Sequence, residues 1–264
     1  MSKHLASETR ECGYLNNGQL SQIIYFGAYS IEDITFEEKV LVQARKTRFE
    51  LMQKGFLGDA FCAGATICSN CNACIPIRIN VSKFKFSARQ KREYNAFDDA
   101  GGDYFLKESF FESEMYELFK KYLTHRFPNS PMHDYEVDTL RGVILSKSHL
   151  LIMVNNDYDF LGYAEIDQYE DECSLDFVVY DPDHADLRLG SIAFIQAIDW
   201  AQQNELTHIY LGPTNDTSAL RYKRYLSGLE CFDGEEWVDY DPKIHRTGPD
   251  YRHLIEKLGL PAPA

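Results

Sequence analysis

The chain has 264 residues, 44% of them hydrophobic and 14% aromatic, which is enough to bury one or two cores and excludes a disordered or fibrous protein. No run approaches the roughly 20 apolar residues that span a bilayer, and the opening Met-Ser-Lys-His-Leu-Ala-Ser-Glu-Thr-Arg lacks the apolar centre of a secretory signal, so a cytoplasmic location and no membrane partner are expected. A formal charge of -14 repels polyanions, so a nucleic-acid partner would need a local basic face.

Residues 1 to about 29 are polar and are expected to be irregular, with a turn at Asn16-Asn17-Gly18. A helix is expected between 31 and 54, where 33–49 is rich in helix formers and free of Pro and Gly, and Gly55 ends it. The Gly-, Ala- and Cys-rich stretch 56–74 reads as a loop folded around something, and 75–86 alternates as a strand. Phe111, Met115, Leu118, Phe119 and Tyr122 recur at helical spacing, which predicts an amphipathic helix over about 104–125 with that stripe in the core. Stretches 150–154, 160–166 and 174–180 read as a meander, the first two joined around Asn155-Asn156-Asp157. Asp181-Pro182-Asp183 breaks the third strand, and 187–191 leads into an apolar helix ending near Asn204. A strand at 208–211 and a helix from about Ser218 follow, and the chain from Pro242 reads as a peripheral tail.

Three antiparallel strands, a Gly-containing loop opening a helix, another strand and another helix are the order of an α+β fold of the Gcn5-related N-acyltransferase (GNAT)-like kind, a mixed sheet flanked by helices. The expected organisation is an N-terminal cysteine-rich subdomain with a basic segment over 1–92, a GNAT-like core over 93–240 and a C-terminal tail over 241–264.

Seven cysteines are an odd number, and Cys68, Cys71 and Cys74 sit too close together for an ordinary disulfide framework. Thiolates at C-x2-C-x2-C suit zinc or an iron-sulfur cluster, with a fourth ligand from elsewhere; the plain alternative is reduced thiols that pack as small hydrophobes, the expectation for Cys173 and Cys231. Between Ile75 and Arg92 no residue is acidic and six are basic: Arg78, Lys83, Lys85, Arg89, Lys91 and Arg92. A second cluster holds Arg221, Lys223 and Arg224. Such clusters are either phosphate-binding faces or solvated helix faces.

Cys68-Ser-Asn-Cys71-Asn-Ala-Cys74-Ile-Pro-Ile-Arg78-Ile, followed by Phe84 and Phe86-Ser-Ala-Arg89-Gln90-Lys91-Arg92, resembles the bacterial leucyl- and eukaryotic arginyl-tRNA-protein transferases. Cys12-Gly-Tyr14-Leu15 resembles that family's opening, and Tyr122 with Arg126 and Met132, Asp167, Tyr180-Asp-Pro182, Leu189-Gly190, Tyr210-Leu-Gly212, Tyr222-Lys223, Glu230 and Trp237 follow in the family's order. The sequence departs from the pattern at Gly55-Phe56-Leu57-Gly58-Asp59, where the family carries two arginines, at Pro213-Thr214-Asn215 after Tyr-Leu-Gly, at Arg188-Leu189-Gly190 in place of Ser-Leu-Gly, and at Arg126-Phe127 in place of Arg-His.

The resemblance implies transfer of an aminoacyl group from aminoacyl-tRNA to an acceptor amino group, a protein N-terminus of the kind marked for degradation or a small amine. It implies a cysteine-ligated centre, iron-sulfur or zinc, on Cys12, Cys68, Cys71 and Cys74, with Cys62 as a spare. An aminoacyl ester is already activated, so no ATP and no enzyme nucleophile are needed; positioning and proton removal suffice. Asp167 or Glu230 would orient or deprotonate the amine, Lys223 would meet the tRNA end or the carbonyl oxygen and Tyr222 would stack on a base, while Arg78, Arg89, Lys91, Arg92, Arg126, Leu189, Gly190 and Tyr210 would bind substrate. Two further readings share the fold: a coenzyme-A-dependent N-acyltransferase with pyrophosphate at Leu189-Gly190-Ser191, and a non-catalytic binding module that kept a structural metal.

Overall fold

The computed structural model describes residues 3–12, 14, 20–29, 37–128, 130–217 and 220–260. The chain forms two units, Met1–Asn80 with Tyr210–Ala264, and Val81–Ile209.

In the first unit β1 (Lys3–Glu11) pairs antiparallel with β2 (Leu20–Gly27), in a region expected to be irregular. Strand β2 buries Ile24 and Phe26, whereas β1 is a polar edge strand whose alternation carries almost no hydrophobic signal. The expected turn at 16–18 lies outside the described residues, as does 31–36, the first part of the expected helix. Helix α1 (Glu38–Met52) buries Ala44, Phe49, Leu51, Met52 and the cation Arg48. Gly55, at φ +84, turns the chain beyond it, where a Cβ would lie 2.1 Å from the Phe232 ring. The expected loop contains two strands, β3 (Leu57–Asp59) and β4 (Cys62–Thr66), in the order β1-β2-β4-β3. Ala63, Gly64 and Ala65 have weak strand propensity; pairing of β4 on both edges overrides it. Strand β5 (Ile75–Asn80) follows as its alternation predicts, ending earlier than expected at a 3-10 turn, Val81–Lys83.

In the second unit α2 (Ala88–Asp99) starts at a capping box: Gln90 N donates to Ser87 Oγ at 3.2 Å and Ser87 N to Gln90 Oε1 at 2.8 Å. The helix expected from about residue 104 starts later. Its first part is β6 (Asp103–Glu108), paired with β7, and α3 (Ser113–Arg126) follows and buries Met115, Leu118, Phe119 and Tyr122 as the stripe predicts. After α4 (Val137–Leu145), the meander appears as β7 (His149–Val154), β8 (Phe160–Tyr169) and β9 (Glu172–Tyr180), antiparallel in the order β9-β8-β7-β6. Leu150, Ile152 and Val154 pack with α3 and α4, while the intervening Leu151 and Met153 are equally buried and α5 (Leu189–Gln203) lies against β7, β8 and β9. Helices therefore cover both faces of this sheet, the α+β arrangement expected.

Strand β10 (His208–Thr214) carries the chain back to the first unit. Ser218 and Ala219, where a helix was expected to start, lie outside the described residues; Arg221–Tyr225 is a single 3-10 turn, closed before Gly228 at φ +66. Strands β11 (Leu229–Phe232) and β12 (Trp237–Asp239) extend β5 in the order β12-β11-β5. The segment expected to be peripheral instead holds α6 (Tyr251–Lys257), which buries Tyr251, Leu254 and Ile255 and donates the Tyr251 hydroxyl to Gly55 O at 2.7 Å. Its apolar stripe is one turn long, too short to show as a helical period. Among the described residues no helix is long and apolar enough to cross a membrane.

Candidate active site

The alternation of β5 puts Ile75, Ile77 and Ile79 into the core and leaves Arg78 and Asn80 on the other face. Glu230 on β11 is the register partner of Arg78. Arg78 Nε donates to Glu230 Oε2 at 2.9 Å, Asn80 Nδ2 to Oε1 at 3.2 Å, and Arg78 Nη1 to the Tyr210 hydroxyl at 3.3 Å. The guanidinium lies 4.6 Å from the centroid of the Trp237 ring, and Trp237 Nε1 donates to Gln53 O at 2.8 Å. With side-chain exposures of 13% for Arg78 and 8% for Glu230, this is a nearly dry ion pair held in a polar and aromatic frame. Both carboxylate oxygens of Glu230 accept hydrogen bonds, which suits holding Arg78 better than taking a proton.

Lys223, in the turn after β10, is buried and donates through Nζ to Leu211 O at 2.6 Å and Pro213 O at 3.4 Å. Burial pulls its ammonium down to about 8, close to the ordinary range of an α-amino group. The adjacent Tyr222 is 44% exposed.

The same unit gathers the cysteine run. Burial pushes the Cys74 thiol up to about 12, and the neighbouring Cys12, Cys68 and Cys71 push in the same direction, while a hydrogen bond with the buried Asn215 side chain opposes them. Cys68 Sγ accepts from Gln22 N at 3.4 Å, and Gly248 N donates to Asn72 O at 2.6 Å. The four cysteines named from sequence are thus electrostatic neighbours, and their soft donors suit zinc or iron-sulfur. Among the described residues no three Cys, His, Asp or Glu side chains stand as a ready-made ligand set. Cys173 and Cys231 are buried core residues, as expected.

The other sequence-derived candidates lie in the second unit. Asp167 is buried on β8 opposite Ser174. Arg126 is the exposed last residue of α3, and Lys91 is exposed on α2. Leu189 is 1% exposed, so its side chain belongs to the core, and Gly190 lies beneath Tyr180, whose ring a Cβ would approach to 3.2 Å. Arg89 and Arg92 line a cavity of about 300 Å3 with Glu93, Ala96, Phe97, Asp186, Leu187 and Arg188.

The structure therefore joins Arg78, Tyr210 and Glu230 in one cluster, places Lys223 and the cysteines in the same unit, and puts Asp167, Arg126 and the α2 cations in the other. Sequence reasoning missed Asn80, Asn215, Arg188 and the fully buried Arg48. Only Arg48 left a signal, since it falls on the same helical face as Ala44, Leu51 and Met52.

Comparison with known proteins covers both units. Residues 10–92 match the N terminus of arginine-tRNA-protein transferase and residues 114–233 its C terminus. The aspartate/glutamate leucyltransferase of Stenotrophomonas maltophilia (strain K279a) is 32% identical over 183 residues, 66% of this chain and 72% of that one. The protein of the same name from Saccharophagus degradans is 23% identical over 242 residues, 90% of this chain and 97% of its own. Among solved structures, L-PGS from Bacillus licheniformis overlays with a TM-score of 0.46 at 14% identity, covering 80% of this chain and 72% of its own. With matches in order across most of both units, and with the cysteine run and Tyr210-Leu-Gly212 at the positions that suggested it, the chain belongs to the arginine-tRNA-protein transferase family of aminoacyltransferases.

Proposed function

We propose that this enzyme transfers an aminoacyl group from aminoacyl-tRNA to the α-amino group of a protein N-terminus. The observation that carries the reading is the ordered family match across both units. The relatives' names make leucyl the first donor to test and N-terminal Asp or Glu the first acceptors. In the reaction the acceptor nitrogen attacks the ester carbonyl carbon, the C–O bond to the tRNA ribose breaks, and the proton lost by the amine ends on the ribose oxygen. Lys223 supports this step: a buried amine with a pKa of about 8 exchanges a proton with an α-amino group at little cost near neutral pH. Glu230 acts by holding Arg78, and the exposed Tyr222 offers a surface for a base.

The cysteines are proposed to hold a structural zinc or iron-sulfur centre, supported by their soft donors and their proximity to Cys74. No step is assigned to it. The test is transfer from a pool of radiolabelled aminoacyl-tRNAs to peptides with varied N-termini, using anaerobically purified protein assayed for iron, sulfide and zinc. Labelled peptide establishes the reaction and names the donor. Absence of transfer from every aminoacyl-tRNA, with turnover of an acyl-coenzyme A instead, refutes the reading.

A further inference from the structure

We infer that Arg92 and Arg188, with Arg89 beside them, form a phosphate-binding site that takes the backbone of the tRNA acceptor end; this rests on the transferase reading above. The site is a cavity within the second unit, about 300 Å3, the lower end of the size range for small-molecule pockets and suited to about one nucleotide. Its walls are α2 and the turn Pro182–Leu187 that leads to Arg188 and α5. Ala96, Phe97 and Leu187 give it an apolar part against which a ribose or base would pack.

The charges single it out. Acidic residues outnumber basic ones 41 to 27 in this chain, so a cation is seldom far from a carboxylate. Arg89 Nε is engaged by Glu93 at 2.9 Å. Arg92 and Arg188 share the cavity with Glu93 and Asp186, yet neither forms an ion pair with any described residue. Two uncommitted guanidiniums on one cavity match a phosphodiester, whose oxygens accept paired N–H groups from a planar fork. Glu93 and Asp186 hold the net charge low, which predicts a modest site that depends on salt.

Both walls are fixed before any ligand arrives. The capping box sets the start of α2. On the other wall Lys121 bridges Asp181 at 2.6 Å and Asp183 at 2.7 Å, and Asp183 N donates to Asp181 Oδ1 at 2.9 Å. That pinning brings the chain to Arg188, which occupies the left-handed region at φ +56 and accepts at its carbonyl from Ser191 N and Ile192 N. Arg188 stands at the positive end of a fifteen-residue helix, which adds to its pull on an anion.

The test uses the full chain with Arg92→Gln, Arg188→Gln and both together, with melting curves to confirm folding. Binding of uncharged tRNA, of a short single-stranded RNA ending in CCA, and of coenzyme A is measured between about 50 and 200 mM salt, alongside wild-type transfer. Each substitution is expected to weaken tRNA and CCA RNA binding about tenfold and to flatten the log-log salt dependence by about 0.7 for each phosphate no longer neutralised. Unchanged RNA affinity and slope in a folded double variant, while the wild type still transfers, overturns the site and leaves the transferase reading intact. Loss of coenzyme A binding with RNA binding unaffected overturns the assignment in favour of a nucleotide cofactor. A wild type that neither transfers nor binds tRNA defeats the reading and the assignment together.

Discussion

Glu230→Ala removes the acceptor of Arg78 Nε at 2.9 Å and of Asn80 Nδ2 at 3.2 Å, in a pair whose side chains are 13% and 8% exposed. Breaking a buried pair by deleting one partner costs about 3–5 kcal/mol, because the remaining charge is left without its counter-ion. Here the Tyr210 hydroxyl at 3.3 Å and the Trp237 face at 4.6 Å remain and offset about 1 kcal/mol, so about 3 kcal/mol is expected. The assay is urea unfolding followed by tryptophan fluorescence in a Trp200→Phe background, which leaves Trp237, beside the pair, as the sole tryptophan of the two in the chain. Adding Arg78→Met should recover part of the loss, since removing both charges leaves no orphan. Glu230→Gln keeps one acceptor oxygen and should lower transfer by about tenfold or less, whereas loss of a general base costs about 10^2 to 10^4. A Glu230→Ala loss under about 1 kcal/mol, strict additivity with Arg78→Met, or a collapse of transfer in a stably folded Glu230→Gln would refute the positioning role.

Three other outcomes follow from the same unit and from α2. Burial lowers the folded-state pKa of Lys223 from 10.5 to about 8, so both states are protonated below about pH 8 and the full penalty of the buried charge is present there; stability rises between about pH 8 and 10.5 as the folded chain releases the proton first. The difference between wild type and Lys223→Met urea midpoints should shift across that window by up to about 3 kcal/mol, and a pH-independent difference would contradict it. Gly248→Ala would set a Cβ 2.0 Å from Cys74 O, so a loss of about 1–3 kcal/mol and faster reaction of the neighbouring cysteines with a thiol reagent are expected. Ser87→Ala opens the capping box of α2 and should cost about 1 kcal/mol by urea midpoint, with no change if the box does not form.

The meander and α5 were legible in the sequence because buried runs such as Leu150 to Val154 and Ile192 to Ile198 are long and bounded by turn residues. Strands β1 and β2 were not, since one is polar and the apolar run of the other is confined to Ile23 to Phe26, and pairing supplies what propensity lacks. The start of α3 was misplaced because aromatic residues at 104–105 serve a strand as well as they serve a helix. Arg78 and Glu230 were each visible as motif residues, but their pairing joins positions 152 apart and depends on the register of β5 with β11, which no local pattern encodes. Arg188 stood out in the sequence only as a departure from the family's Ser-Leu-Gly, while the phosphate was placed at Leu189-Gly190-Ser191; Leu189 turns inward, and the arginine itself is the group with chemistry to offer.

The basic run from Arg78 to Arg92 looks continuous in sequence and is divided in the fold. Arg78 is withdrawn into an ion pair on β5, whereas Arg89 and Arg92 stand on α2. A continuous face of six cations would give a salt slope near four for single-stranded RNA, at about 0.7 per phosphate. A site of Arg89, Arg92 and Arg188 gives about two. The chain as a whole is acidic and repels the rest of the tRNA, so the acceptor end is expected to bind locally with a slope near the smaller value. A slope of four or more on the CCA oligonucleotide would mean that cations outside this cavity carry the binding.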